Sequence, residues 1–362
     1  MVTLLKDSST NWYICECGYA DRAVPKSAGF WWNSKTHPQK WSTKEAEKAY
    51  KLANYGSKEL QEELTNAVTA KVEKIEASHA TNADIEAPVP TGLSYLPFQK
   101  AAIAFAKDRK HTLIADQPGV GKTIEAIGIL NNDDSIKSVL VVCPASLRLN
   151  WKLEATKWCV KKWNYYVADK KGEIPENANF VIVNYERLDL VMEHNWDFLI
   201  VDECHRVKNP KAKRTITLLG DKKKEIKGIV DNCKKTLWLT GTPIMNRPVE
   251  LFPLLSVIDP EGLGKNFFGF AKRYCAAHQV QVSRYSLVWD FTGSSNLVEL
   301  QERLRTNVMI RRLKKDVLKE LPGKRRQLVV LPANGAAKAV EHEAAIYGEG
   351  NKDLLAWAAQ ET

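Results

Sequence analysis

A loop of small and basic residues, Asp116–Thr123, has the composition needed to hold phosphate. It follows an apolar run that predicts a strand and precedes residues that predict a helix. Glycine lets backbone N–H groups close on phosphate oxygens at a helix N-terminus, while Lys122 reaches β- and γ-phosphates and the Thr123 hydroxyl binds Mg²⁺. Asp116 replaces the first glycine of the general pattern G-x-x-x-x-G-K-S/T, so a structural turn that happens to read Gly-Lys-Thr is the alternative. The residues predicted to contact nucleotide are Asp116, Gln117, Pro118, Gly119, Val120, Gly121, Lys122 and Thr123.

Two adjacent acids end a second apolar run, Phe198–Val201. Open α/β sheets place their ligands at the carboxyl ends of strands. There Asp202 would hold Mg²⁺, and Glu203 would orient and deprotonate the water that attacks the γ-phosphate. An isolated Asp-Glu pair after a strand is more often a helix cap or a solvated turn than a catalytic pair, but the phosphate loop upstream favours catalysis. The pattern therefore predicts ATP and Mg²⁺ as cofactors, with Lys122, Asp202 and Glu203 as the catalytic residues.

Short apolar runs alternate with helical patterns in the part of the chain that positions these residues. Such alternation predicts an α/β fold with a parallel sheet covered by helices. A capping pattern at Ser42–Glu45 predicts a helix that continues through Tyr55, Lys58–Ser78 predicts an exposed helix, and Pro88 and Pro90 predict a linker. The predicted strands are Thr112–Ala115, Ser138–Cys143, Phe180–Val183, Phe198–Val201 and Thr236–Leu239.

Composition and charge indicate which broad class of protein this is and what kind of partner it binds. The 362 residues are 44% hydrophobic and 27% charged, without an apolar run long enough to cross a bilayer, so we expect a soluble protein without membrane contact. Seven scattered cysteines predict free thiols and a cytoplasmic location. The net charge of +10 is concentrated in Arg206–Lys235 and Arg303–Arg326. Clustered cations favour a polyanionic partner, although two solvated surfaces explain the charge equally well.

Taken together, the motifs resemble the Swi/Snf-type ATPases of helicase superfamily two. The resemblance covers roughly Tyr95–Tyr347 and includes Asp116, which is usual at this position in the family. It implies a RecA-like lobe with bound ATP and double-stranded DNA as a partner. Met309–Val317 is similar to a signature of this family, which points to translocation on duplex DNA. Location would be nucleoid-associated in a bacterium and nuclear in a eukaryote.

The resemblance also assigns roles to individual residues. Gln99 would read the edge of adenine, and Ser146 in Val142–Leu147 would contact the DNA backbone, although it is equally a plain helix cap. His205 with Thr240, Gly241 and Thr242 would couple the γ-phosphate state to lobe movement. The remaining possible DNA contacts are Arg311, Arg312 and Lys314, for which an amphipathic basic helix without a special role is the alternative.

The resemblance implies a second lobe, whose arginines complete hydrolysis. We expect residues 326–362 to be the start of that lobe, and residues 93–325 to be the first lobe with a family-specific insertion. An arginine finger contributes on the order of 10³ to 10⁵ in rate, so this chain alone should bind ATP but hydrolyse it poorly. The second lobe would come from a longer protein or another chain. The competing hypothesis is a non-catalytic regulatory module that binds nucleotide and DNA.

Residues 1–56 predict a small Trp-rich α+β accessory domain, followed by a charged helix and linker at 57–92. The tryptophans predict a miniature core. The segment also resembles small modules that accompany annealing-helicase members of the family, where aromatic and basic residues meet DNA, and Lys26, Lys35 and Lys40 permit that function. Its tryptophans are Trp12, Trp31, Trp32 and Trp41.

Overall fold

The computed structural model describes residues 1–33, 40–168, 173–243, 247–283 and 286–320. Met1–Lys319 forms one compact unit that combines a small antiparallel sheet with a larger parallel sheet. The predicted start of a second lobe at 326–362 and the predicted DNA contact Lys35 lie outside the described residues. The predicted domain boundaries stay predictions.

The small sheet has four antiparallel strands in the order β1-β2-β4-β3. Its buried side chains, among them Leu4, Tyr13 and Phe30, form a separate apolar cluster. Trp31 and Trp32 are 71% and 50% exposed, so these two tryptophans do not build the predicted miniature core. The elements of this region are β1 (Val2–Asp7), β2 (Trp12–Cys17), α1 (Ala23–Ala28), β3 (Trp31–Asn33), β4 (Lys40–Thr43), α2 (Ala46–Tyr50) and α3 (Lys58–His79).

One local prediction about this region is wrong, and a second, the exposed helix at Lys58–Ser78, is confirmed as a helix but is exposed over only part of its surface. Ser42 belongs to β4, where it pairs with Ile14 and Trp31, so it caps no helix, and α2 begins only at Ala46. Strand pairing therefore overrides the local capping pattern. The helix α3 is also not exposed along its whole length, because Leu64 enters the apolar cluster of the small sheet and Ser78 is buried near the other end.

The large sheet has seven parallel strands in the order β13-β5-β10-β9-β6-β8-β7. All five predicted strands are present within a few residues of their predicted bounds, which confirms the α/β class. The strands β7 and β13 were not predicted. The strands are β5 (His111–Ile114), β6 (Val139–Cys143), β7 (Tyr165–Val167), β8 (Phe180–Asn184), β9 (Trp196–Asp202), β10 (Cys233–Leu239) and β13 (Met309–Ile310).

Helices cover both faces of this sheet. Successive strand residues point to opposite faces, and along β9 Leu199 and Val201 join one apolar cluster while Phe198 and Ile200 join the other. A two-stranded antiparallel hairpin, β11 (His278–Ser283) and β12 (Ser286–Asp290), lies outside the sheet. The helices are α4 (Pro97–Ala106), α5 (Lys122–Asn131), α6 (Arg148–Trp158), α7 (Lys213–Leu219), α8 (Phe252–Ile258), α9 (Phe267–Tyr274), α10 (Leu297–Asn307) and α11 (Lys314–Val317).

Short 3-10 helices connect several of these elements. Among the residues that the structure describes, no helix combines the length and the apolar character that crossing a membrane requires. The seven cysteines are free thiols. The 3-10 helices are Tyr19–Asp21, Ala53–Tyr55, Ala145–Leu147, Tyr185–Val191, Cys204–Val207, Ile229–Asn232 and Pro248–Leu251.

Candidate nucleotide site

The phosphate loop connects the end of β5 to the start of α5. Gly119 and Gly121 have φ angles of 80° and 100°, in the left-handed region that favours glycine. A Cβ atom on Gly121 would also lie 2.8 Å from Nε2 of Gln99. Because α5 begins directly at Lys122, the first N–H groups of the helix face the loop. The geometry is therefore that of an anion-binding turn at a helix N-terminus.

The side chain of Lys122 folds back across this loop. Its Nζ donates to the carbonyl oxygen of Asp116 at 2.9 Å and to that of Gln117 at 3.4 Å. Burial raises the pKa of Asp202 and the hydrogen bond with His205 lowers that of Glu203, and the charge of the Lys122 ammonium adds a smaller lowering influence on both. The phosphate loop and the acid pair are thus electrostatically connected through Lys122.

The carboxylate of Asp116 is fully buried and is bound by Arg312. The Nε atom of Arg312 donates to Oδ2 of Asp116 at 3.0 Å, and its backbone N–H donates to Oδ1 at 2.7 Å. The guanidinium also binds Glu125 of α5, because Nη2 of Arg312 donates to Oε1 of Glu125 at 2.7 Å. The exposed fraction is 1% for the side chain of Arg312 and 0% for those of both acids.

This buried cluster of Asp116, Glu125 and Arg312 corrects one prediction and bears on a second, the contact of Asp116 with nucleotide, which stays a prediction. Arg312 cannot contact DNA from this position, so that prediction is wrong. The guanidinium of Arg312 binds the carboxylate of Asp116. Asp116 therefore contributes to the loop through its backbone carbonyl oxygen, which accepts a hydrogen bond from Lys122. Burial, followed by the neighbouring charge of Asp116, raises the pKa of Glu125 well above its usual value. Sequence reasoning did not identify Glu125, although an acid on the apolar side of α5 was a signal.

Asp202 is the last residue of β9 and is 8% exposed. Two donors orient its carboxylate: Nε1 of Trp151 lies 2.9 Å from Oδ2, and the N–H of Glu203 lies 2.9 Å from Oδ1. Burial raises the pKa of Asp202, while the bond from Trp151 partly opposes that rise. Trp151 was noted in the sequence only as the residue following a motif, and its role in holding Asp202 was missed.

Glu203 sits in a sharp turn with a φ angle of 51°, which is unusual for a residue with a side chain. The hydroxyl of Tyr185 stabilises this turn by donating to the carbonyl oxygens of Asp202 at 2.6 Å and Glu203 at 3.2 Å. Tyr185 was not identified from the sequence.

His205 connects the acid pair to the end of β10. Its Nδ1 lies 3.1 Å from Oε2 of Glu203 and 3.3 Å from Oγ1 of Thr240. The hydrogen bond with His205 is the main cause of the lowered pKa of Glu203. The hydroxyl of Thr240 also accepts a hydrogen bond from the N–H of Thr242 at 3.2 Å. These four residues form a continuous polar chain between two strand ends.

Gly241 brings the segment after β10 against the phosphate loop. A Cβ atom at this position would lie 2.6 Å from Cγ and 2.8 Å from Cδ of Pro118. Such distances are far inside van der Waals contact, so only glycine allows this approach. Because β5, β10 and β9 are adjacent strands, all three motifs lie at the same edge of the sheet.

Gln99 lies beside the loop in α4 and is 2% exposed. Its Oε1 accepts a hydrogen bond from the N–H of Leu96 at 2.9 Å, while its Nε2 lies beside Gly121. Reading adenine would require the amide to open from these contacts, and that role stays a prediction. Val120 is also buried, so its side chain supports the loop from within.

The other predicted DNA contacts are not gathered at one place. Ser146 is exposed in a 3-10 helix after β6, and Arg311 is partly buried. The ammonium of Lys314 lies next to the phosphate loop, within 2.9 Å of an ideal Cβ on Gly119. Of these three residues, Ser146 alone presents an openly exposed side chain.

Comparison with known proteins gives a consistent set of relatives. The family model described as SNF2-related domain matches residues 32–346. The chain is 33% identical over 284 residues to the Xenopus laevis SWI/SNF-related matrix-associated actin-dependent regulator of chromatin subfamily A-like protein 1, covering 76% of this chain and 27% of that protein. It is 36% identical over 255 residues to the Bos taurus DNA annealing helicase and endonuclease ZRANB3, covering 67% and 23% respectively. The chain thus spans about a quarter of the length of these relatives.

Among solved structures, the chain is similar to the Sulfolobus solfataricus SWI2/SNF2 ATPase core in complex with dsDNA. The TM-score is 0.48 at 22% identity, and the match covers 62% of this chain and 46% of that one.

Proposed function

The chain belongs to the SNF2-related family, and on that premise we propose that it is the ATP-binding motor lobe of a DNA-dependent ATPase that translocates on duplex DNA. One observation carries the proposal. The phosphate loop, the Asp202–Glu203 pair and the Thr240–Gly241 segment follow three adjacent parallel strands at a single sheet edge. Gly241 lies against Pro118 of the loop, and His205 lies within hydrogen-bond distance of both Glu203 and Thr240. This is the edge at which open α/β sheets bind ligands.

The residues present fit a nucleotide with Mg²⁺. Mg²⁺ is usually bound by one or two protein groups together with phosphate oxygens and water. The Thr123 hydroxyl and the Asp202 carboxylate are the groups that would hold the ion, and it would neutralise charge on the phosphates. Lys122 would exchange its bonds to loop carbonyls for bonds to phosphate.

Glu203 is the residue that we assign to the attacking water. Its lowered pKa keeps it ionised at neutral pH, so it accepts a hydrogen bond from water and orients it. The Nδ1 atom of His205 lies within hydrogen-bond distance of both the Glu203 carboxylate and the Thr240 hydroxyl. A change in position of Glu203 is therefore transmitted to the segment that packs against Pro118. We assign to this chain of contacts the coupling between phosphate state and lobe movement.

We further propose that rapid hydrolysis requires a second lobe, from a longer protein or another chain. Positioning and electrostatic stabilisation dominate phosphoryl transfer, and an arginine finger contributes on the order of 10³ to 10⁵ in rate. DNA would bind through backbone contacts that include Ser146, together with the basic residues of Arg206–Lys235. This block carries a net positive charge, and its phosphate contacts would release counterions.

The proposal is tested by measuring ATP binding and turnover of the 362-residue chain with and without duplex DNA. Lys122→Ala should sharply weaken ATP binding, because it removes the main cation of the loop. Glu203→Gln should leave binding intact and remove residual hydrolysis. The matched controls are Lys107→Ala and Glu261→Gln, both exposed.

Each outcome of this experiment has a defined meaning. Unchanged ATP binding by Lys122→Ala would remove the phosphate-loop assignment. Rapid DNA-stimulated hydrolysis by the chain alone would contradict the requirement for a second lobe. Binding of ATP and DNA without turnover, even with a second lobe added, would support a non-catalytic regulatory module. DNA affinity that does not fall as salt rises from about 50 to 200 mM would argue against phosphate contacts.

A further inference from the structure

The segment that follows β13 continues alongside the phosphate loop. The N–H of Ala115 donates to the carbonyl oxygen of Ile310 at 2.8 Å, and the N–H of Gln117 donates to that of Arg312 at 3.2 Å. The N–H of Lys314 then donates to Oε1 of Gln117 at 2.7 Å. Residues 310–314 are therefore held against the first half of the loop by three successive hydrogen bonds.

The buried cluster fixes this segment further. Arg312 binds Asp116 through both its backbone N–H and its guanidinium, so the chain cannot shift along the loop without breaking buried charge contacts. Lys314 is two residues beyond this anchor. Its backbone position is thus determined by the loop itself.

The side chain of Lys314 extends over the glycine turn of the loop. An ideal Cβ on Gly119 would lie 2.9 Å from its Nζ and 3.3 Å from its Cε. Within the described residues, no ion pair is formed by this ammonium. Lys122, in contrast, bonds to carbonyl oxygens of the loop. A second positive charge therefore lies beside the anion-binding turn without an acidic partner.

We propose that Lys314 is a second cation of the nucleotide site, which binds the phosphate groups of ATP together with Lys122. This inference rests on the proposed function. An ammonium next to a backbone N–H turn adds to the positive potential that attracts phosphate. Among the residues that the structure describes, Lys314 has no acidic side chain to release first. From the sequence, Lys314 was predicted to contact DNA. The two roles can be distinguished, because removing the Lys314 charge weakens ATP binding in one case and DNA binding in the other.

The test replaces Lys314 by methionine, which has nearly the same length and no charge. The bond to Gln117 comes from the backbone N–H and survives this change. We expect ATP affinity, measured by calorimetry at low salt, to fall about three- to tenfold. This is the effect of losing one unit charge that lies several ångströms from the phosphates in a solvated site. The loss should shrink as salt rises. Lys314→Arg should restore affinity, and exposed Lys315→Met is the matched control.

The outcomes separate this inference from the function on which it rests. Suppose that the wild type binds ATP and Lys122→Ala does not. If Lys314→Met then binds ATP as tightly as the wild type, the inference about Lys314 is wrong and the proposed function still stands. A wild type that binds no ATP overturns both. If Lys314→Met weakens duplex DNA binding and leaves ATP affinity unchanged, Lys314 is a DNA contact and the inference is wrong. A loss of ATP affinity that Lys314→Arg does not restore, or that is independent of salt, shows a packing role and also overturns it.

Discussion

Replacing Arg312 by methionine should destabilise the protein strongly. The substitution removes a guanidinium that is bound to Asp116 and Glu125 and also donates to the carbonyl oxygen of Phe98. All three side chains of the cluster are at most 1% exposed, so no water can take over the lost contacts. Breaking a buried ion pair on one side costs about 3–5 kcal/mol, because the remaining charge stays buried without a partner. The expected fall in melting temperature is on the order of 10 °C.

Urea unfolding followed by circular dichroism measures this loss directly. The matched control is Arg311→Met, because the adjacent arginine is partly exposed and its recorded hydrogen bonds come from the backbone. Its expected change is within about 0.5 kcal/mol. Adding Asp116→Asn to Arg312→Met should regain part of the stability, since it removes the stranded charge. A free energy of unfolding for Arg312→Met within about 1 kcal/mol of the wild type would refute the reasoning.

Three other predictions follow from the site. Because burial raises the pKa of Glu125, the folded state keeps a proton that the unfolded state releases above its ordinary pKa. The free energy of unfolding of the wild type should therefore fall as pH rises from about 4.5 towards the folded pKa. In urea unfolding across pH, Glu125→Gln should lack this fall, and parallel curves for the two proteins would contradict the prediction. Gly241→Ala should cost about 1–3 kcal/mol in stability or ATP affinity by overlap with Pro118, and Pro118→Ala in the same chain should recover most of it; a harmless single variant would disprove the contact. Trp151→Phe should lower the free energy of unfolding by about 1–3 kcal/mol because it leaves an oxygen of Asp202 without its donor, and unchanged stability would show that this bond does not hold the carboxylate.

Much of the large sheet was predictable from local sequence. The five predicted strands are continuous apolar runs, and such runs are typical of strands buried on both faces. The strand β7 contains only partly buried residues, and β13 has two residues, so neither gave a pattern long enough to recognise. The predicted helix from the capping pattern at Ser42 failed because cross-strand partners, distant in sequence, compete for the same residues.

The candidate site shows the same division between local and distant information. The phosphate loop and the acid pair each occupy a few consecutive residues, so their chemistry was visible in the sequence. Arg312 was interpreted from its neighbours, a basic run typical of a DNA-binding surface, although its partner Asp116 lies 196 residues earlier. Local signals were Glu125, an acid on the apolar side of its helix, and Asp116, an acid at the position where the general phosphate-loop pattern has glycine. Neither signal identifies the distant arginine that binds them.

The position of β5 within the sheet has a consequence for the order in which the protein folds. Both neighbours of this strand, β10 and β13, are synthesised after it. The 196 residues between Asp116 and Arg312 take about 10 to 40 s to synthesise at roughly 5–20 residues per second. Until then the apolar side chains of β5 lack their final partners, and contacts this distant in sequence also form slowly. The buried cluster beside the phosphate loop is therefore completed late during synthesis, and the unpaired edges of β5 favour aggregation until then.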